Sequence, residues 1–220
     1  RLGPVRSARL ADSTFWLLMD EYQPFIDDTV AGLRDGDVFI DVGANSGLFS
    51  LVAAQRVGPG GTVFAFEPSQ REYLELMRNL RLNPEASVCI VPFRLALGDV
   101  DELSRLYLAK EEMSGLNSRS PSDGGDGRTE PIVAMRFDSL GLGALVDPAR
   151  RVCIKIDTEG SELQILRGMR QFIATHDVRR IVVEMNDVLL GRLGGSRREI
   201  HELLEQLGFI ATVQSTSHHY

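Results

Sequence analysis

The sequence predicts an α/β domain built on a doubly wound, mostly parallel sheet with helices on both faces. Three observations carry this. Val38 to Val42 is an apolar strand, followed by a glycine turn from Gly43 to Gly47 and a helix opening with Leu48 and Phe49. A second apolar run, Thr62 to Phe66, follows the turn Gly58-Pro-Gly-Gly61 and ends on Glu67. Glu67 lies about twenty residues past the first turn, where a doubly wound fold places the acid that grips a ribose diol. The 220 residues suffice for one such domain with a large core.

The first turn has the chemistry of a cradle. Asp41 ends the strand as a carboxylate, and Gly43 and Gly47 let the backbone turn sharply and come close to a ligand. The helix behind them points its unpaired N–H groups and positive dipole end at the same space. The pattern is Asp-x-Gly-x-x-x-Gly rather than the Gly-x-Gly-x-x-Gly of pyrophosphate binders. It favours a ligand whose charged part is an amino acid, with Asp41 and Asn45 available to its ammonium and carboxylate.

Asp-Val-Gly-Ala-Asn-Ser-Gly at 41–47, Phe66-Glu-Pro68, Ala96-Leu-Gly98 and Ile154-Lys-Ile-Asp-Thr-Glu-Gly160 together resemble the FkbM family of S-adenosylmethionine-dependent methyltransferases. The similarity runs from about Asp37 to Glu184. The resemblance implies a class I, Rossmann-like methyltransferase fold and O-methylation of a hydroxyl on a small molecule, sugar or lipid. It implies cofactor contacts from Asp41, Gly43, Ala44, Asn45, Ser46, Gly47, Glu67, Pro68, Ala96, Leu97 and Asp157. The family fold also adds an antiparallel edge strand after the last βα unit, and Ser215 to Tyr220 is too short and polar to supply it.

Composition narrows the partners. With 43% apolar and 25% charged residues the chain is ordinary globular protein. A net charge of −7 argues against nucleic acid, which needs a basic face. Cys89 and Cys153 sit in apolar runs as buried, reduced residues, so a cytoplasmic location is expected. No apolar run approaches the eighteen or so residues that span a bilayer. Arg1 in place of Met leaves room for an upstream leader.

Residues 1–36 read as an N-terminal helical or cover segment and 37–220 as the methyltransferase domain. Phe15 to Met19 is an apolar cluster that packs on the domain edge or covers the cofactor site. Pro24 to Leu33 fits a short helix closed by Arg34-Asp-Gly36. Ser69 and Glu72 stand at capping-box spacing before a helix with Tyr73, Leu76, Met77 and Leu80 on one side. Ser87 to Phe93 reads as the third strand, with Ala96 and Leu97 beyond it suited to a flat base.

Ser104 to Ala109 and Pro131 to Met135 read as strands or a hairpin outside the βα pattern. Between them a polar, glycine-rich loop at about 110–130 is an acceptor-site lid or simply unstructured, with Ser114, Asn117 and Ser118 as acceptor contacts. Arg151 to Ile156 is the fourth main strand. Its Lys155 needs a partner inside a sheet covered on both faces, and Asp41 and Glu184 are the candidates. Ser161 and Gln164 have capping-box spacing, Arg179 to Glu184 is the fifth strand, Ser196 and Glu199 start a last helix, and Phe209 to Val213 is a sixth strand.

Ligands of an open parallel sheet bind beyond the carboxyl ends of its strands. Asp41, Glu67, Asp157, Glu159 and Glu184 gather there, whereas Asp187 reads as a helix-start acid. Asp157, Glu159 and Glu184 are the candidate catalytic bases. The same acids could hold a divalent cation, and no metal ligand set is assigned. None of the four histidines fits: His176 falls at the wrong end of the sheet, His201 beside an apolar stripe, and His218 and His219 in a polar tail. Two other readings share parts of this pattern, a nicotinamide oxidoreductase and a non-catalytic cofactor-binding module. Acceptor, regiochemistry and oligomeric state are not legible.

Overall fold

The computed structural model describes residues 25–109, 117–121 and 125–210. The expected cover segment at Phe15 to Met19, the acceptor contact at Ser114 and residues 211–213 of the expected sixth strand lie outside them. Phe209 and Ile210 belong to no strand.

Five strands form one parallel sheet: β1 (Val38–Val42), β2 (Thr62–Phe66), β3 (Ile90–Phe93), β7 (Val152–Ile156) and β8 (Val178–Val183). Their order is β3-β2-β1-β7-β8, the class I methyltransferase arrangement. Four of the five lie within a residue or two of expectation. Strand β3 starts three residues late, because Pro84 opens a helical turn, α4 (Pro84–Ser87), that takes up the residues before it.

Two cores cover the sheet, one per face. Helices α5 (Glu162–Gly168), α6 (Arg170–Thr175) and α8 (Arg197–Gln206) pack on Ile40, Val42, Phe66, Ile154 and Ile156. On the other face, helix α1 at residues 25–29, α2 (Leu48–Val57) and α3 (Gln70–Leu82) pack on Phe39, Val63, Ala65 and Cys153. Alternation along β7 sends Lys155 to this second face, beside Phe49 of α2. Leu76 and Leu80 of the expected stripe are buried, with Tyr73 and Met77 packed at its margin.

The capping expectations divide. Ser196 accepts the N–H of Glu199 and starts α8 as expected. Ser69 and Glu72 bond to each other through their side chains, and Ser69 makes no side-chain cap. Ser161 makes none either, because Glu162 takes over that turn, and Gln164 donates to the Leu193 carbonyl instead. A helix not anticipated, α7 (Asp187–Arg192), begins at Asn186, whose side chain accepts from Val188 and Leu189. Asp187 occupies its first turn, the helix-start position expected of it.

The segment between β3 and β7 forms a second sheet, β4 (Ala96–Leu97), β6 (Gly125–Met135) and β5 (Glu102–Ala109), in the order β4-β6-β5. Antiparallel pairing of β5 with β6 makes it the hairpin expected outside the βα repeat. A short strap, residues 117–121, joins it through an isolated bridge from Ser118 to Tyr107.

Candidate active site

The order of the main sheet reverses between β1 and β7, and there the two strand-end turns meet. A Cβ on Gly43 would stand 1.9 Å from the backbone oxygen of Asp157, and its φ is +79°. Gly43 is therefore already required by the approach of two backbones. Gly47 likewise backs onto Leu76 of α3, 2.3 Å from a notional Cβ.

Beneath this contact lies a buried ionic hub. Lys155 Nζ donates to the Gly43 carbonyl at 2.9 Å and stands 3.3 Å from Asp41 Oδ1 and 3.4 Å from Asp157 Oδ2. Its ammonium also sits 4.8 Å from the centre of the Phe49 ring. Burial disfavours the charge on Lys155, but Asp41 and Asp157 outweigh it and raise its pKa. Asp41 receives a further hydrogen bond from Ser50 Oγ at 2.6 Å and has no exposed surface. One of the two partners expected for Lys155 is thus present. The second is Asp157 rather than Glu184, because Asp157 shares the lysine's face of β7.

Glu67 continues β2 past its end, its N–H bonded to the Phe93 carbonyl. Its Oε2 accepts the N–H of Asn45 at 2.9 Å and its Oε1 that of Ser69 at 2.8 Å. The carboxyl is 6% exposed, and burial pushes its pKa up to about 8 despite those two donors. Asn45 holds a left-handed φ of 50°. The turn around it is pinned on both sides: Gly43 and Ala44 donate to Phe66, and Asn79 donates to the Ser46 carbonyl at 2.8 Å. Pro68 sits half-buried at the start of α3.

On the other side of the switch point, Asp157 and Glu184 extend β7 and β8 by one residue, their N–H groups bonded to the carbonyls of Val42 and Ile156. Glu159 follows in a left-handed conformation, φ 55°, uncommon for a residue with a Cβ. Burial raises Glu159 to about 8, helped by the charges of Asp157, Glu184 and Glu162. Burial also raises Glu184 to about 7, with the Asp157 charge and a hydrogen bond shared with Asp157 adding to it. Among the described residues, no group of three or more His, Cys, Asp or Glu side chains is arranged to hold a metal ion.

The structure thus brings Asp41, Gly43, Ala44, Asn45, Ser46, Gly47, Glu67, Asp157, Glu159 and Glu184 to one edge. Ala96 and Leu97 lie nearly buried: Ala96 packs with Leu106, Ile132 and Ala134, and Leu97 joins the main core. Ser118 and Asn117 are occupied within the protein. Ser118 Oγ donates to the Glu159 carbonyl at 2.7 Å, and Asn117 Oδ1 accepts from Ala109 at 2.8 Å. His176 stacks on Phe172 and reaches the Gly143 carbonyl, away from these acids.

The model of the methyltransferase FkbM domain matches residues 41–211. The chain belongs to the FkbM methyltransferase family. It is 28% identical over 207 residues to methyltransferase sdnD of Sordaria araneosa, covering 83% of this chain and 77% of that protein. It is 27% identical to the 31-O-demethyl-FK506 methyltransferase FkbM of Streptomyces tacrolimicus, covering 83% and 76%. The AMB antimetabolite synthetase AmbE of Pseudomonas aeruginosa is 26% identical over 86% of this chain, which spans only 10% of the synthetase. A crystal structure of methyltransferase FkbM from Methylobacillus flagellatus KT superposes with a TM-score of 0.48 at 22% identity, over 77% of this chain and 37% of that one. This FkbM methyltransferase is an enzyme, so the oxidoreductase and non-catalytic readings fall away.

Proposed function

We propose that this FkbM methyltransferase transfers a methyl group from S-adenosylmethionine to a hydroxyl of a small molecule, sugar or lipid. The observation that carries the reading is that Glu67, just past the end of β2, and Asp157, Glu159 and Glu184, just past the ends of β7 and β8, lie at one edge of the sheet on either side of its switch point. The residues fit the cofactor's chemistry: a nearly buried carboxyl at the end of β2 suits a diol, and an acidic edge suits a cation. Glu67 would take the ribose hydroxyls on its remaining lone pairs. The backbone of Ala44, Asn45, Ser46 and Gly47 would face the amino-acid portion, with Asp157 at its ammonium. Pro68, Ala96 and Leu97 would lie toward the adenine.

Bound there, the cofactor supplies a methyl group already activated by its sulfonium charge. What the chain adds is placement, worth on the order of 7–11 kcal/mol, and a base, worth about 10²–10⁴-fold. Glu159 and Glu184, raised toward neutrality, are suited to accept the acceptor's hydroxyl proton. Asp41 acts one step removed, since its oxygens face Lys155 and Ser50. The two free cysteines, both buried, fit a reducing cytoplasm.

Calorimetric titration with S-adenosylhomocysteine and with NADH tests the cofactor, and label transfer from methyl-labelled S-adenosylmethionine into a panel of hydroxylated acceptors tests the reaction. S-adenosylhomocysteine should bind and NADH should not. Binding of NADH alone would sink the reading.

A further inference from the structure

Glu159 sits in a turn that is clamped from three directions. Glu162 Oε1 accepts from the N–H of Thr158 at 3.1 Å and of Gly160 at 3.0 Å, the residues on either side. Gly160 is pressed against the Leu189 backbone of α7. The third restraint comes from 41 residues away, where Ser118 Oγ donates to the carbonyl of Glu159 itself.

A left-handed residue with a Cβ is strained and persists only where its surroundings over-determine it. Ser118 is placed for that role. It is 1% exposed, paired through both N–H and C=O with Tyr107 of β5, and its Oγ accepts from the N–H of Ser120 at 3.2 Å. Its single hydroxyl hydrogen therefore goes to Glu159. The far end of the strap is held by Arg192 of α7, which donates to the Pro121 carbonyl at 3.2 Å.

We infer that Ser118 is a positioning residue: it carries the second sheet's rigidity to Glu159 and holds that acid in its left-handed conformation beside Asp157 and Glu184. This rests on the reading of Glu159 as a base and gives the β4-β6-β5 sheet a task in the reaction. The Ser118 hydroxyl is a hinge-pin for the acid, not an acceptor contact.

The test compares S118T and S118V, which have nearly the same shape and differ in the hydroxyl, with S118A as a smaller third variant. The carboxyl titration of Glu159 is followed by carbon-13 NMR, with E159Q to assign the signal. S118V should titrate about one unit or more below S118T, a tenfold change in proton affinity, as the turn relaxes toward water. With an acceptor that the labelling panel identifies, kcat should fall about 10- to 100-fold in S118V while S-adenosylhomocysteine affinity stays within about twofold. Identical titration of S118T and S118V overturns the assignment, as does an equal loss of cofactor affinity. If the parent protein transfers no methyl group, the proposed function falls, and the Glu159 titration still decides the role of Ser118.

Discussion

Lys155 reaches from β7 to Asp41 on β1, Nζ to Oδ1 3.3 Å, where the two side chains are 2% and 0% exposed. One cation there holds together the two strands between which the sheet reverses, and it does so directly under the turn that carries Asn45.

Lys155→Met should therefore destabilise strongly. Removing one partner of a buried pair leaves the other charge uncompensated, at a cost of about 3–5 kcal/mol. At about 2–4 °C per kcal/mol for a chain of this size, thermal unfolding should show a drop of roughly 6–20 °C. An unchanged melting temperature would mean the hub carries no such load.

Stability should fall as pH rises from about 4.5 to about 8. Glu67 and Glu159 are raised to about 8 and Glu184 to about 7, so folding favours their protonated forms. The native state then holds more protons than the unfolded chain across that window, and the slope of stability with pH is negative. Melting curves between pH 6 and pH 9 should show the decline, and Glu67→Gln should flatten it.

Cofactor binding should release protons at neutral pH. Hydroxyls donating to Glu67 favour its charged form and lower its pKa. Calorimetry of S-adenosylhomocysteine in buffers of different ionisation enthalpy should register the release, and Glu67→Gln should reduce it. The same variant should weaken binding about 10- to 100-fold through loss of bonds to a charged acceptor. Glu67→Ala is the poorer test, because it would strand the N–H groups of both Asn45 and Ser69, whereas the glutamine amide still accepts from one of them.

Gly43→Ala should damage the fold before it damages binding. The added carbon would meet the Asp157 carbonyl at 1.9 Å, in a backbone conformation of φ +79°. A loss of at least about 2 kcal/mol is expected. Chemical denaturation measures it, and a stable Gly43→Ala protein that merely loses cofactor would restore the ligand-path reading.

The sheet was legible because buried parallel strands read as apolar runs: β2 is unbroken, β1 and β7 each carry one charge, and β8 is apolar from Ile181 to Val183. Glu67, Asp157 and Glu184 were legible for a related reason: each is the first charge after such a run. Less could be read where the decisive contact is made across the fold. Glycines 43 and 47 look like ligand clearances in one dimension, and the sequence does not show that they also give clearance to Asp157 and Leu76. The register of β7 and β8 decides which carboxylate Lys155 meets, and apolar spacing does not encode it. A short Ser-x-x-Gln reads as a cap at Ser161 until Glu162 folds back on its own turn. Ser118 read as an acceptor contact, and its partner 41 residues on was not legible.

The Ser118 strap makes the excursion between β3 and β7 more than a decoration on the main sheet. On the positioning role proposed for Ser118, chimaeras that trade this hairpin between relatives need a hydroxyl at the Ser118 rung. Grafts lacking it would exchange the hairpin and at the same time lose the hold on Glu159.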